Sequence, residues 1–163
     1  MKYIFHKKSG FSLVELLITL TIIGILVAVA IPGYIGQQRN AARSEAESNL
    51  SVLRLLQEQF FADSGDYAPA GGGTIAYAAN GTGIEAVNAL PGFKPGGQAA
   101  LACVGLKFSY TITKDLQITN AQPLQNPTTA ALTPCFLARA TGCAGTRVAN
   151  EIFAIDCNNV RNF

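Results

Sequence analysis

Apolar side chains run almost unbroken from Phe11 to Ile31, 21 residues in which Glu15 is the single charge. As a helix this stretch is roughly 31 Å long, the thickness of a bilayer's hydrocarbon core, so it can span a membrane. Pro32, Gly33 and Gly36 then interrupt the apolar pattern, and a proline inside a helix removes a hydrogen bond and bends the axis. Helical periodicity resumes beyond them. Ala42, Ala46, Leu50, Leu53, Leu56 and Phe60 recur at intervals of three and four, a stripe about 120° wide that should pack on a sheet. On the wetter side, Arg43 with Glu47 and Arg54 with Glu58 stand four residues apart, where each pair adds a few tenths of a kcal/mol. The pattern predicts one helix from about Phe11 to Asp63, ended by the turn chemistry of Ser64-Gly65-Asp66.

Between residues 66 and 105 the pattern dissolves: nine glycines and three prolines among forty residues, with Asp66, Glu85 and Lys94 the only charges. That composition predicts a long loop, with a short helix over Ile84 to Leu90. From Leu106 the period changes to two. Leu106, Phe108, Tyr110 and Ile112 face one way, and Lys107, Ser109, Thr111 and Thr113 the other, the signature of a half-buried strand. Cys135 to Ala140 and Glu151 to Cys157 are the second and third candidate strands, and Pro123, Pro127 and Pro134 break the connection between the first two. The predicted fold class is α+β, a long amino-terminal helix packed on a small antiparallel sheet.

Composition sharpens this picture. Apolar residues reach 49% and charged ones only 13%, which excludes a disordered tail or a coiled-coil rod. The formal charge is +2, but Lys2, Lys7 and Lys8 lie in the first ten residues, leaving nine basic and ten acidic side chains, a net of −1. Nucleic-acid binding by a basic surface has no support there. The one histidine, His6, lies in the same leader, so the remainder has no histidine for a triad or a zinc site. Cys103, Cys135, Cys143 and Cys157 contain no Cys-x-x-Cys spacing, and Gly71-Gly72-Gly73 lacks the Gly-Lys-Ser/Thr ending of a phosphate loop. Asp63 and Asp66 read as a helix stop rather than a calcium site. Phe11, Tyr34, Phe60, Phe61 and Tyr67 read as packing material rather than a conducting stripe. No cofactor, metal or catalytic residue is expected.

The lysines ahead of the apolar run keep the leader in the cytoplasm and send the rest across the membrane. Ala28-Val29-Ala30 matches a signal-peptidase pattern, which would release a soluble binding domain beginning at Ile31. Two features oppose this: the run is longer than an ordinary signal core, and it carries a carboxylate. Cleavage between Gly10 and Phe11 would account for Glu15. The new amine would lie four residues, about one helical turn, before the carboxylate, and the two charges attract strongly in a low dielectric, within one chain or between neighbours.

At these residues the sequence resembles the type IV pilin family: Lys8-Ser9-Gly10, then Phe11-Ser12-Leu13-Val14-Glu15-Leu16, then the apolar run ending in Ala30-Ile31-Pro32. The resemblance implies a prepilin peptidase that cleaves after Gly10 and methylates the amine of Phe11, Glu15 guiding subunit register, and helix flexibility between Gly24 and Pro32 within a filament. It implies as partners sister copies, the peptidase, an inner-membrane assembly platform and, before assembly, the lipid bilayer. The chain then divides into a leader over 1–10, a spine over 11–63 with its membrane segment at 11–31, a Gly-rich loop over 64–105, and a sheet with a disulfide-stapled end over 106–163. The localisation implied is the inner membrane, with the carboxy-terminal head outside the cytoplasm, and afterwards an extracellular pilus. Disulfides are favoured there. Four cysteines allow three pairings, which spacing leaves open; the resemblance implies a bond from Cys157 that pins a carboxy-terminal loop. A pseudopilin of type II secretion, which Gly83-Ile84-Glu85-Ala86-Val87 faintly resembles, and a minor pilin are the alternatives with the same assembly physics.

Overall fold

The computed structural model describes residues 10–77, 90, 92–96, 102–118, 128–129 and 133–163. The leader residues 1–9 and nearly all of the expected helix over Ile84 to Leu90 lie outside the described residues. The chain divides into two compact units, Met1–Gln38 and Arg39–Phe163. One helix, α1 (Leu13–Ser64, 52 residues), contributes to both and continues through Pro32. It opens with the Leu16 amide donating to the Ser12 carbonyl at 3.2 Å. It closes at Gly65, whose φ of 76° is a backbone conformation that glycine adopts without strain and whose amide donates to the Phe61 carbonyl.

In the second unit, a four-stranded antiparallel sheet has the order β1-β2-β5-β6, from β1 (Thr74–Ala76), β2 (Phe108–Lys114), β5 (Phe136–Gly142) and β6 (Ile152–Asp156). Two short strands, β3 (Leu116–Gln117) and β4 (Thr128–Thr129), form a separate ladder. The three longer strands fall within two residues of their sequence positions, β2 because its alternation is strong and β5 and β6 because they are rich in apolar or aromatic residues. β1, β3 and β4, two or three residues each, lie in segments read as loop, since so short a run carries no detectable period.

Register sets the core. Tyr110 stands opposite Ala140 and Ile112 opposite Ala138, placing them on one face with Phe108, Phe136 and Ile155. Ala46, Leu50 and Leu53 of α1 belong to the same buried cluster, with Ala42, Leu56 and Phe60 at its edge. All six residues of the expected stripe therefore take part. Small alanines on β5 leave room for the large rings of β2 and the leucines of the helix. Phe93, from the loop region, meets Tyr110 edge-on at 5.5 Å. Burial pushes the Tyr110 hydroxyl up to about 12, so it stays neutral while accepting a hydrogen bond from Asn49 Nδ2 at 2.7 Å.

Gln57, on the buried face, was not foreseen. Its amide donates to the Ala68 carbonyl and accepts from the Ala68 amide, both at 2.9 Å. It thus acts as one rung of a strand ladder, holding the chain after α1 back on the helix. Two aromatic residues follow suit: Phe61 stacks on Tyr67 at 4.7 Å, and Tyr67 meets Phe136 at 4.9 Å.

The turn between β5 and β6 lies hard against Gly142. A Cβ built there would stand 1.7 Å from the Val148 carbonyl oxygen, a backbone atom that cannot step aside alone. Gly142→Ala is expected to destabilise the head by roughly 3 kcal/mol, read as a lower denaturation midpoint in urea. An unchanged midpoint would mean that the 143–150 turn shifts freely.

Candidate assembly surface

The amino-terminal part of α1 is apolar all round. Every residue from Gly10 to Ala41 is exposed, including Leu13, Leu17, Ile22, Leu26 and Val29, and Phe11 keeps 73% of its surface accessible. Among the described residues this is the one helix long and apolar enough to cross a membrane. The threonines do not break its apolar character: Thr19 Oγ1 donates to the Leu16 carbonyl and Thr21 Oγ1 to the Leu17 carbonyl, both at 2.8 Å. Their hydroxyls are satisfied along the helix itself. A helix exposing this much apolar surface is stable only in lipid or against other apolar helices.

Glu15 lies in the first turn of α1, where the unpaired amides of a helix amino terminus favour a carboxylate. Gly10 and Phe11 precede the helix, in an extended, exposed stretch of the kind a peptidase can engage. Gly24 is helical, with no heavy atom within 4 Å of where a Cβ would sit, and Pro32 occupies the helix interior without an amide to donate.

In the head, Arg39 and Arg43 converge on one carboxylate, Glu151. Arg43 Nε donates to Oε2 at 2.9 Å and Nη2 to Oε1 at 2.8 Å, while Arg39 Nε donates to Oε1 at 2.8 Å. Arg43 was expected to pair with Glu47 along the helix, and that expectation is corrected. The β5–β6 turn brings a carboxylate where a guanidinium can grip both oxygens, and such two-point pairing outcompetes a single exposed contact one turn away. Arg54 keeps its helical partner, Glu58, at 3.9 Å. Asp66 pairs with Lys114 of β2, and the described residues contain no group of three potential metal ligands.

These pairings make the head sensitive to acid. The hydrogen bond from Arg43, then that from Arg39, holds the Glu151 carboxyl below the usual carboxylate range against the opposing effect of burial. A group lowered by folding stabilises fully above its unfolded value, about 4.3 for glutamate, and loses that contribution as pH falls through the lower folded value. Below about pH 4.3 the melting temperature of the native chain is expected to fall more steeply than that of Glu151→Gln. Parallel curves would show that the cluster is solvated.

Two disulfides, Cys103–Cys143 and Cys135–Cys157, decide the pairing that spacing left open. The first joins the stretch before β2 to the end of β5, and the second joins the start of β5 to the residue after β6. Cys157 thus holds the carboxy-terminal stretch to the sheet. Beside it Asp156, fully buried, accepts from the amides of Asn158 and Val160 at Oδ1 and of Ile118 at Oδ2, all at 2.9 Å. Sequence reasoning missed this residue because an aspartate at a strand end reads as an ordinary exposed turn residue.

Comparison with known proteins bears on the amino-terminal segment. Residues 5–31 match the model of the prokaryotic N-terminal methylation motif. The type IV major pilin protein PilA of Myxococcus xanthus (strain DK1622) is 44% identical over 62 residues, 38% of this chain and 28% of that protein. The chain carries the methylation motif of prokaryotic pilins and has homologues among type IV pilins and type II secretion pseudopilins over part of its length. The fimbrial protein EcpC of Eikenella corrodens is 34% identical over 84 residues, 49% of this chain and 53% of EcpC. The type II secretion system core protein G of Aeromonas hydrophila is 28% identical over 62 residues, 38% of this chain and 43% of that protein. The matches therefore span between about a quarter and a half of these relatives' lengths. No solved structure matches the chain. These relatives are structural proteins rather than enzymes. The long amino-terminal helix, packed through its second part on a small antiparallel sheet, is consistent with the α+β pilin fold.

Proposed function

We propose that this pilin homologue is the structural subunit of a type IV pilus. The observation that carries the reading is the coincidence of the methylation motif over residues 5–31 with a fully exposed apolar segment, residues 11–31, whose one charge is Glu15. In this reading the precursor sits in the inner membrane through residues 11–31, with the lysines of its leader in the cytoplasm and the head outside. A prepilin peptidase cuts between Gly10 and Phe11 and methylates the new amine. At the assembly platform the spines leave lipid for one another, and packing between helices replaces packing against acyl chains. The Phe11 amine of one subunit meets Glu15 of a neighbour, so two charges leave water together rather than singly. Flexibility between Gly24 and Pro32 lets the spines adjust. Cys103, Cys135, Cys143 and Cys157 staple the exported head, each bond contributing about 2–4 kcal/mol.

The experiment is amino-terminal analysis of the mature protein in sheared surface material. The expected result is a chain beginning at a methylated Phe11. A soluble species beginning at Ile31 would overturn the proposal and favour a secreted binding domain. The match to the type II secretion core protein G supports a second reading, a pseudopilin. It predicts the same mature terminus but polymers confined to the envelope, so electron microscopy of surface filaments labelled through the head separates the two.

A further inference from the structure

The sheet face turned away from α1 carries an arginine that has no counter-ion among the described residues. Register places Arg139 of β5 between Thr111 of β2 and Ala154 of β6, with Thr141 two residues along the same strand. Its Nε is shielded from solvent and has no hydrogen-bond partner. Every other described arginine is engaged. Arg39 and Arg43 share Glu151, Arg54 pairs with Glu58, Arg161 donates to Asn159 and lies over the Phe163 ring, and Arg147 has its own partner. Arg54 Nε is shielded in the same way, but that guanidinium already has its carboxylate.

The placement of the described acidic side chains explains why none of them pairs with Arg139. Asp156 shares its sheet face, but both oxygens of Asp156 are taken by backbone amides. Residues 118–134, which run on from β3 through β4 toward β5, contain no Asp or Glu. The carboxylates of α1 belong to the element on the opposite face. A shielded guanidinium N–H left unpaired costs on the order of 1–3 kcal/mol, while Arg139 as a whole is only half-buried, so an oxyanion can meet the outer N–H groups of its flat fork. The geometry points to an oxyanion-binding site centred on Arg139, with the hydroxyls of Thr111 and Thr141 as its neutral flanks, taking a single carboxylate, sulfate or phosphate group. The uncharged flanks leave the site one positive charge, enough for one such group and not for a polyanion.

The test uses the full chain in detergent micelles and follows the arginine Nε–H resonances by NMR. Sodium sulfate and sodium acetate are added separately, each against sodium chloride of matched ionic strength; the two arms distinguish a tetrahedral oxyanion from a planar carboxylate. The expected result is a saturable shift at Arg139 with at least one of them, together with shifts at the Thr111 and Thr141 amides, and its loss in Arg139→Gln. Thr111→Val, which keeps the guanidinium, is expected to weaken the affinity severalfold and tests the site if the first variant folds poorly. A linear response matched by chloride, saturation centred on Arg39 and Arg43 instead, or an unchanged response in Thr111→Val would each overturn the inference.

Discussion

Glu15→Ala is expected to leave the precursor inserted and cleaved but to stop it from joining a filament. Insertion does not need the carboxylate. A charge within an apolar helix opposes membrane entry by up to about 2.5–3.5 kcal/mol on insertion scales, so its removal makes Phe11–Ile31 a better membrane segment. Assembly, in the proposed function, loses the partner of the Phe11 amine. Truncating one side of a desolvated charge pair costs about 2–5 kcal/mol, which weakens each new contact at least about tenfold. Because a filament grows only when every added subunit stays, that loss compounds along the polymer. The measurement compares sheared surface pilin with the membrane pool by immunoblot. The variant should accumulate in the membrane with its leader removed. Normal filament yield with alanine at position 15 would remove the charge-pairing argument and leave Glu15 the ordinary duty of a first-turn acid on α1.

Asp156→Ala should have the largest effect on the head. The carboxylate is fully buried and accepts three amides, from Ile118, Asn158 and Val160. Removing it breaks three hydrogen bonds to a charged acceptor, each worth about 1–3 kcal/mol, and leaves the Ile118 amide buried without a partner. Even the low end, about 3 kcal/mol in sum, is a large part of the 5–15 kcal/mol typical of a folded domain. The carboxylate also joins the chain after β3 to the carboxy-terminal stretch, next to the Cys135–Cys157 bond. The expected result is a sharply lower melting temperature, with hydrogen exchange accelerated first at the amides of Ile118 and Val160. Asp156→Asn, which retains one acceptor oxygen, should fall between the two. If Asp156→Ala melts with the native protein, water or a neighbouring carbonyl must replace the carboxylate at no cost.

How much was legible beforehand follows from how local each signal is. The apolar run, the stripe on the second part of α1 and the alternation of β2 are one-dimensional patterns, and a helix or strand imposes the same period wherever it occurs. The fold class and the methylation motif were therefore readable from consecutive residues, and the family model matches that same segment. Arg43 shows where local reading fails. Its neighbour Glu47 is always one turn away, yet the partner it takes is Glu151, 108 positions along the chain. Gln57, Asp156 and Arg139 belong to the same class, since a polar side chain reveals its partner, or its lack of one, only when the sheet assigns it a face.

The sequence by itself determined that residues 11–31 form an apolar segment long enough to cross a bilayer, because a nearly unbroken apolar run leaves a helix no polar face to turn to water. Only the tertiary structure decided which cysteines join, which carboxylates hold arginines and which hold backbone amides. Those choices depend on distances across the sheet, and hydrogen bonds and ion pairs vanish within a few ångströms while sequence separation says nothing about such distances.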